Sequence, residues 1–312
     1  MPLFRYSESP SVQSVLFEKM LWASKVKESQ EGPEETFKKR DYSRALVSPE
    51  PPEYLRLRVE VFADDFRGMR IHRLEPKSKV PTLRVLFLHG GSYVLNATRP
   101  HWRFLANLVE STGCGIVAPD YPLAPEHSYA DAYRILLAYC AELENKRAAG
   151  ERLVFMGDSA GGGLCLGLAM ALRDDGLALP PGLVLLSPWL DVTMSNPHIE
   201  VLDPEDPFLN VEALKKAGRA WAKGANPRKP WISPLYGNLH GLPEMHLFIG
   251  TKDVLAADAR RFRGLCLAAK ARLSFYEYDN MVHDWMLLDF KEAKLAAERI
   301  AEIIKSYELT DS

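Results

Sequence analysis

A chain of 312 residues, 47% hydrophobic and 26% charged, has the composition of a globular protein with a sizeable core, which excludes disordered and fibrous classes. Its net charge of -2 and the absence of any long block of like charges exclude the basic footprint of a nucleic-acid or anionic-membrane binder, so a small molecule is the expected partner. Cys114, Cys140, Cys165 and Cys266 stand without CxxC spacing, so they suggest buried thiols rather than a zinc site or a disulfide framework.

In chain order, Ser11 can cap a helix in which Val12, Val15, Leu16, Met20 and Val26 recur at helical spacing to about Gln30. Charged residues from Arg5 to Glu28 break up this stretch and leave no apolar core for a signal peptide. No apolar run reaches the roughly 18 to 20 residues needed to span a bilayer, so a cytoplasmic location without a membrane partner is expected. A polar stretch rich in Glu, Lys and Pro follows to Pro52, and residues 1–53 are expected to stand apart from the sheet as a helical cap segment.

Residues 54–312 are expected to form the catalytic domain. Leu57 to Val61 and Met69 to Arg73 alternate apolar and polar residues, which predicts an antiparallel pair as the first two strands. Five short apolar runs follow, Val85 to Leu88, Gly115 to Ala118, Leu153 to Met156, Leu183 to Leu186 and His246 to Ile249. Such runs suit strands buried on both faces. Between them lie helical patterns at about Trp102 to Ser111, Ala130 to Lys146, Ala160 to Arg173 and Ala256 to Lys270, and this alternation predicts an α/β fold with a parallel sheet flanked by helices. A last strand near Leu273 to Tyr278, whose edge could pair two copies into a homodimer, leads to a closing helix with Ala293, Ala296, Ile300 and Ile303 on one face. Asp191 to Pro230, with a helical piece at Val211 to Ala222, is too long for an ordinary connection and could help cover a site.

The strongest chemical signal is Gly157-Asp158-Ser159-Ala160-Gly161, placed between a strand and a helix, where a G-x-S-x-G turn projects its serine as a nucleophile. His89-Gly90-Gly91-Ser92 follows a buried strand; amides of such a turn, with that of Ala160, can donate to an oxyanion. His89 is expected to brace this turn rather than titrate. A serine hydroxyl needs a base oriented by an acid, and α/β-hydrolases supply these in the order Ser, Asp/Glu, His. Of the eight histidines only His283 lies between the last strand and the closing helix, which makes it the expected base. Asp253, just after the strand His246 to Ile249, is the expected acid, with Asp284 a weaker competitor and helix capping the alternative role for Asp253.

With these motifs in place, the chain resembles the hormone-sensitive-lipase family of carboxylesterases over roughly Tyr54 to Ser306. The resemblance also rests on Asp120-Tyr121-Pro122-Leu123-Ala124-Pro125-Glu126-His127 and on Ser187-Pro188-Trp189-Leu190-Asp191. It implies an α/β-hydrolase fold with a small helical cap made by the N-terminal segment and an insertion near 191–230. It further implies an oxyanion hole formed by the amides of Gly91, Ser92 and Ala160, and a small-molecule ester of short to medium chain as substrate, with no metal or organic cofactor. Ser92 stands where the family often has glycine, and Pro122 replaces the usual arginine. An amidase, peptidase or other acyl transferase could use the same triad, and a noncatalytic ligand receptor could use the same scaffold.

Overall fold

The computed structural model describes residues 2–28 and 50–308. These build nine strands, β1 (Leu3–Tyr6), β2 (Glu60–Phe66), β3 (Met69–Glu75), β4 (Leu83–Leu88), β5 (Gly115–Pro119), β6 (Arg152–Asp158), β7 (Gly182–Leu186), β8 (Glu244–Gly250) and β9 (Leu273–Tyr278). Eight helices accompany them, α1 (Val12–Ser24), α2 (Arg99–Thr112), α3 (Tyr129–Lys146), α4 (Ser159–Asp174), α5 (Ile199–Leu202), α6 (Val211–Ala222), α7 (Ala256–Ala269) and α8 (Lys291–Ser306). The strands form one sheet in the order β1-β9-β8-β7-β6-β4-β5-β3-β2. Only the β2–β3 and β3–β5 pairs are antiparallel.

The continuous apolar runs are strands because both faces of the sheet are covered. Leu86, Phe155, Leu183, Leu185, Leu247 and Phe275 belong to one core with residues of α3, α4, α7 and the insertion. Their neighbours Val85, Phe87, Val154, Met156, Val184, Phe248 and Tyr276 belong to a second core with residues of α2 and α8. Alternation along each strand therefore divides the side chains between two layers. The four cysteines are free and buried.

Three expectations for the first sixty residues differ from the structure. The N-terminal segment does not stand apart from the sheet, because Leu3–Tyr6 pairs in parallel with β9 from Leu3↔Phe275 to Tyr6↔Tyr278. Phe4 stacks on Tyr276 and Tyr6 on Tyr278. The pairing edge assigned to the last strand is thus occupied, and the sheet edge belongs to β1. Helix α1 starts as expected, with Ser11 Oγ accepting from Ser14 N–H at 3.3 Å, but it ends at Lys25 in the left-handed region. Val12, Leu16 and Met20 face outward while Ser14 and Leu21 are buried; Leu21 and Phe17 pack on the second core, and polar ties, Ser11 Oγ to Glu292 and Lys252 to Glu18, hold this other face inward. The expected polar stretch falls largely on residues 29–49, outside the described residues.

The strand expected at Leu57 to Val61 begins instead at Glu60, after a 3-10 turn at Glu53–Leu57. Leu55 and Val59 point into the core while Leu57 between them is 83% exposed, whereas a strand would put all three on one face. The pairing of β2 with β3 is antiparallel as expected. The insertion after β7 carries α5, a 3-10 turn at Asp203–Glu205 and α6, the last with the bounds read from its pattern.

Candidate active site

Strand β6 ends at Asp158 and α4 begins at Ser159, whose φ of 50° is the strained left-handed turn of a nucleophile elbow. The turn closes tightly because residue 161 is glycine: a Cβ there would lie 1.9 Å from the Leu88 carbonyl oxygen. Asp158, at the helix N-cap, makes no capping bond with its side chain. Its Oδ1 accepts from Gly90 N–H at 3.0 Å and its Oδ2 faces His101 Nε2 at 3.0 Å. His101 in turn accepts at Nδ1 from Thr98 N–H and Thr98 Oγ1–H. A buried carboxylate–imidazole pair therefore ties the elbow to the glycine turn after β4.

That turn runs through three residues with positive φ, Gly91 (109°), Ser92 (55°) and Tyr93 (64°). The first suits only glycine, and the next two are strained non-glycine residues held by their surroundings. Tyr93 stacks on Trp221 of α6, 4.1 Å between centroids at 3°, and on Trp189 at 5.5 Å. Tyr121 donates its hydroxyl to the His89 carbonyl at 2.7 Å and stacks on the His89 ring, so the Asp120 to His127 segment braces the turn. His89 itself is buried, which pushes its pKa down, and Nδ1 meets the Gly90 carbonyl. The amides of Gly91, Ser92 and Ala160 make no hydrogen bond among the described residues, so the glycine turn and the elbow keep three unengaged donors.

Asp253 and His283 emerge from the C-terminal ends of β8 and β9, where parallel sheets build their sites. Asp253 is fully buried; its Oδ1 accepts from Leu255 N–H and its Oδ2 from His283 Nδ1–H, both at 2.8 Å. One carboxylate thus closes a local turn and meets the His283 ring, but it does not cap α7, whose N-cap is Leu255 without a side-chain cap bond. The His283 loop is held by Lys252 N–H on the Met281 carbonyl, Asn280 N–H on Thr251 Oγ1 and Asp284 N–H on Ser187 Oγ. Phe208 of the insertion stacks on the His283 ring at 6.1 Å.

Among the described residues, no hydrogen bond joins Ser159 Oγ to His283. Nε2 faces Asp284 Oδ2 at 3.0 Å instead, so both acids weighed for His283 touch it, at opposite nitrogens. Burial opposes the charged imidazole, but Asp284 and Asp253 outweigh it and raise the His283 pKa well above its usual value. Desolvation pushes the Asp284 carboxyl up to about 7 against the pull of His283. Catalytic contacts of this kind are commonly loose without substrate and tighten on binding.

A parallel sheet with a serine elbow, an adjacent amide turn, and an Asp–His pair from the following strands defines the α/β-hydrolase class. Residues 85–287 match a family model described as alpha/beta hydrolase fold. An esterase of Acinetobacter venetianus is 30% identical over 75% of this chain and 79% of its own. An acetyl-hydrolase of Streptomyces hygroscopicus is 32% identical over 64% of this chain and 67% of its own. The crystal structure of an esterase from the bacterial hormone-sensitive-lipase family superposes with a TM-score of 0.80 at 26% identity, covering 96% of this chain and 99% of that one. The chain belongs to the hormone-sensitive-lipase family of carboxylesterases and is a carboxyl-ester hydrolase.

Several residues of the site escape a reading of the sequence. Trp221, Phe208 and Asp206 lie on the insertion, and nothing in their spacing connects them to Ser159, Asp253 or His283. His101 carried one usable signal, its place three residues after Thr98 at a helix start.

Proposed function

We propose that the protein hydrolyses short- to medium-chain carboxylic esters through Ser159, His283 and Asp253 and an acyl-enzyme intermediate. In this reading Ser159 Oγ attacks the ester carbonyl while His283 Nε2 takes its proton. Asp253, bonded to Nδ1, holds the tautomer and supports the imidazolium that forms. The amides of Gly91, Ser92 and Ala160 receive the oxyanion, each worth about 3 to 4 kcal/mol of transition-state stabilisation. His283 then protonates the leaving alcohol, and water repeats the cycle on the acyl-enzyme. For Nε2 to serve Ser159, the Asp284 side chain must swing away.

The observation that carries the proposal is the 2.8 Å Asp253–His283 bond, made beyond the ends of β8 and β9 on the same sheet as the elbow. The 191–230 insertion, held from the N-terminal segment by Lys27 on the Asp206 carbonyl, acts as the cap that shapes the acyl pocket, supported by Phe208 on His283 and Trp221 on Tyr93. A small-molecule substrate and a cytoplasmic location belong to the same reading. Among the described residues no helix is long and apolar enough to cross a membrane.

The test is hydrolysis of p-nitrophenyl esters from acetate to laurate beside the matching anilides, for wild type and Ser159→Ala. The expected result is a rate maximum at or below octanoate, little anilide cleavage, and a kcat at least about a thousandfold lower in the variant. Faster anilide cleavage would point to an amidase. Organophosphate treatment that leaves Ser159 unlabelled would point to a noncatalytic receptor.

A further inference from the structure

Asp206 lies in the insertion immediately after the 3-10 turn Asp203–Glu205 and is fully buried. Among the described residues no cation reaches its carboxylate; Lys27 Nζ, the nearest basic group in the network, contacts the Asp206 carbonyl oxygen and the Asp203 carboxylate. The Asp206 carboxylate spends its two oxygens differently. Oδ1 accepts from Phe208 N–H at 2.8 Å and Leu209 N–H at 2.9 Å, closing a turn within the insertion. Oδ2 reaches out of the insertion and accepts from Val254 N–H at 2.9 Å. Val254 directly follows Asp253, and the next amide, Leu255 N–H, goes to Asp253 itself. Two successive amides of one turn thus serve two different acids.

A turn within the insertion does not require this arrangement. An asparagine or serine closes such a turn through one oxygen, without placing a second buried carboxylate beside Asp253. The like charge has a cost: desolvation and the Asp253 charge push the Asp206 carboxyl up to about 6. What the second oxygen adds is the tie to the acid's own turn. The same short segment carries Phe208 onto the His283 ring, so acid and base are both gripped from one place.

We propose that Asp206 is a positioning residue for the Asp253–His283 pair, pinning the turn that carries Asp253 to the insertion that carries Phe208. It acts through Val254 N–H and touches no reacting atom. The inference rests on the triad reading above, and it makes seating of the insertion a condition for a well-aligned general base.

Asp206→Asn separates the two oxygens, because an amide keeps one acceptor for Phe208 and Leu209 but offers no second acceptor to Val254. With p-nitrophenyl butyrate, Asp206→Asn is expected to lower kcat about tenfold or more with KM within about twofold. Asp206→Ala, which frees the Phe208 turn as well, is expected to raise KM in addition. Wild-type kcat in Asp206→Asn, or equal changes in kcat and KM in both variants, would overturn the proposal. A readout independent of turnover is the proton NMR signal of His283 Nδ1–H, which should shift upfield or broaden in Asp206→Asn as its bond to Asp253 loosens; an unmoved signal overturns the proposal. Should wild type itself hydrolyse no ester, the triad reading fails, while the NMR comparison still decides the tie. Should Asp206→Ala not fold, Asp206→Asn decides through kcat, KM and NMR together.

Discussion

At the scale of single residues, the unusual feature is His283, the proposed general base, with a carboxylate on each ring nitrogen. His283 acts as a base only when neutral, so kcat/KM falls as pH drops through its raised pKa. Removing one of the two carboxylates lowers that pKa. Asp284→Asn is therefore expected to move the acid limb of the pH profile to lower pH by about one unit, measured as kcat/KM between pH 5 and 9. A limb that stays in place would mean that Asp284 does not control the base. The elbow makes a steric prediction: Gly161→Ala puts a methyl 1.9 Å from the Leu88 carbonyl oxygen and should cost on the order of 3 kcal/mol by urea unfolding. The places of Ser159, Asp253 and His283 at an elbow and at two strand ends were legible in the sequence because each is announced by its neighbours along the chain, a glycine turn or a strand end. Asp206 was not, because its partner Val254 is 48 residues away and nothing local distinguishes a buried aspartate from a loop aspartate.

Among the elements, strands and helices from β3 onward follow the periodicity of the chain closely, since burial on one or both faces leaves a regular apolar pattern. The N-terminal strand β1 left no such pattern: four residues at an edge, mostly exposed, need no alternation, and their pairing with β9 is nonlocal. Deleting residues 2–9 uncovers the β9 edge and removes the Phe4–Tyr276 and Tyr6–Tyr278 stacks. The expected result is a melting temperature lower by several degrees and association seen by size-exclusion chromatography, as an open edge allows. A monomer of unchanged stability would show that β1 contributes nothing. In the insertion, Trp221→Ala removes the ring stacked on Tyr93; it should cost about 3 to 5 kcal/mol and lower kcat by loosening the amide turn, which steady-state kinetics on the folded variant would show.

For the molecule as a whole, two cores share one sheet. Trp189 and Trp221 report on one core and Trp102 and Trp285 on the other, while every strand from β4 to β9 contributes to both. Tryptophan fluorescence and far-UV circular dichroism should therefore give the same urea midpoint, and separated midpoints would show that the two layers unfold independently. From the sequence alone followed the α/β architecture, the order of the chemical groups along the chain and the carboxyl-ester hydrolase class, because each depends on local pattern and residue type. The tertiary structure alone decided the rest: that the first strand closes the sheet, that His283 meets two acids, and that the insertion grips both the amide turn and the acid's loop. Apart from the adjacent His283–Asp284 pair, those contacts join residues tens to hundreds of positions apart, and such contacts are set by packing, which leaves no periodic trace in the chain.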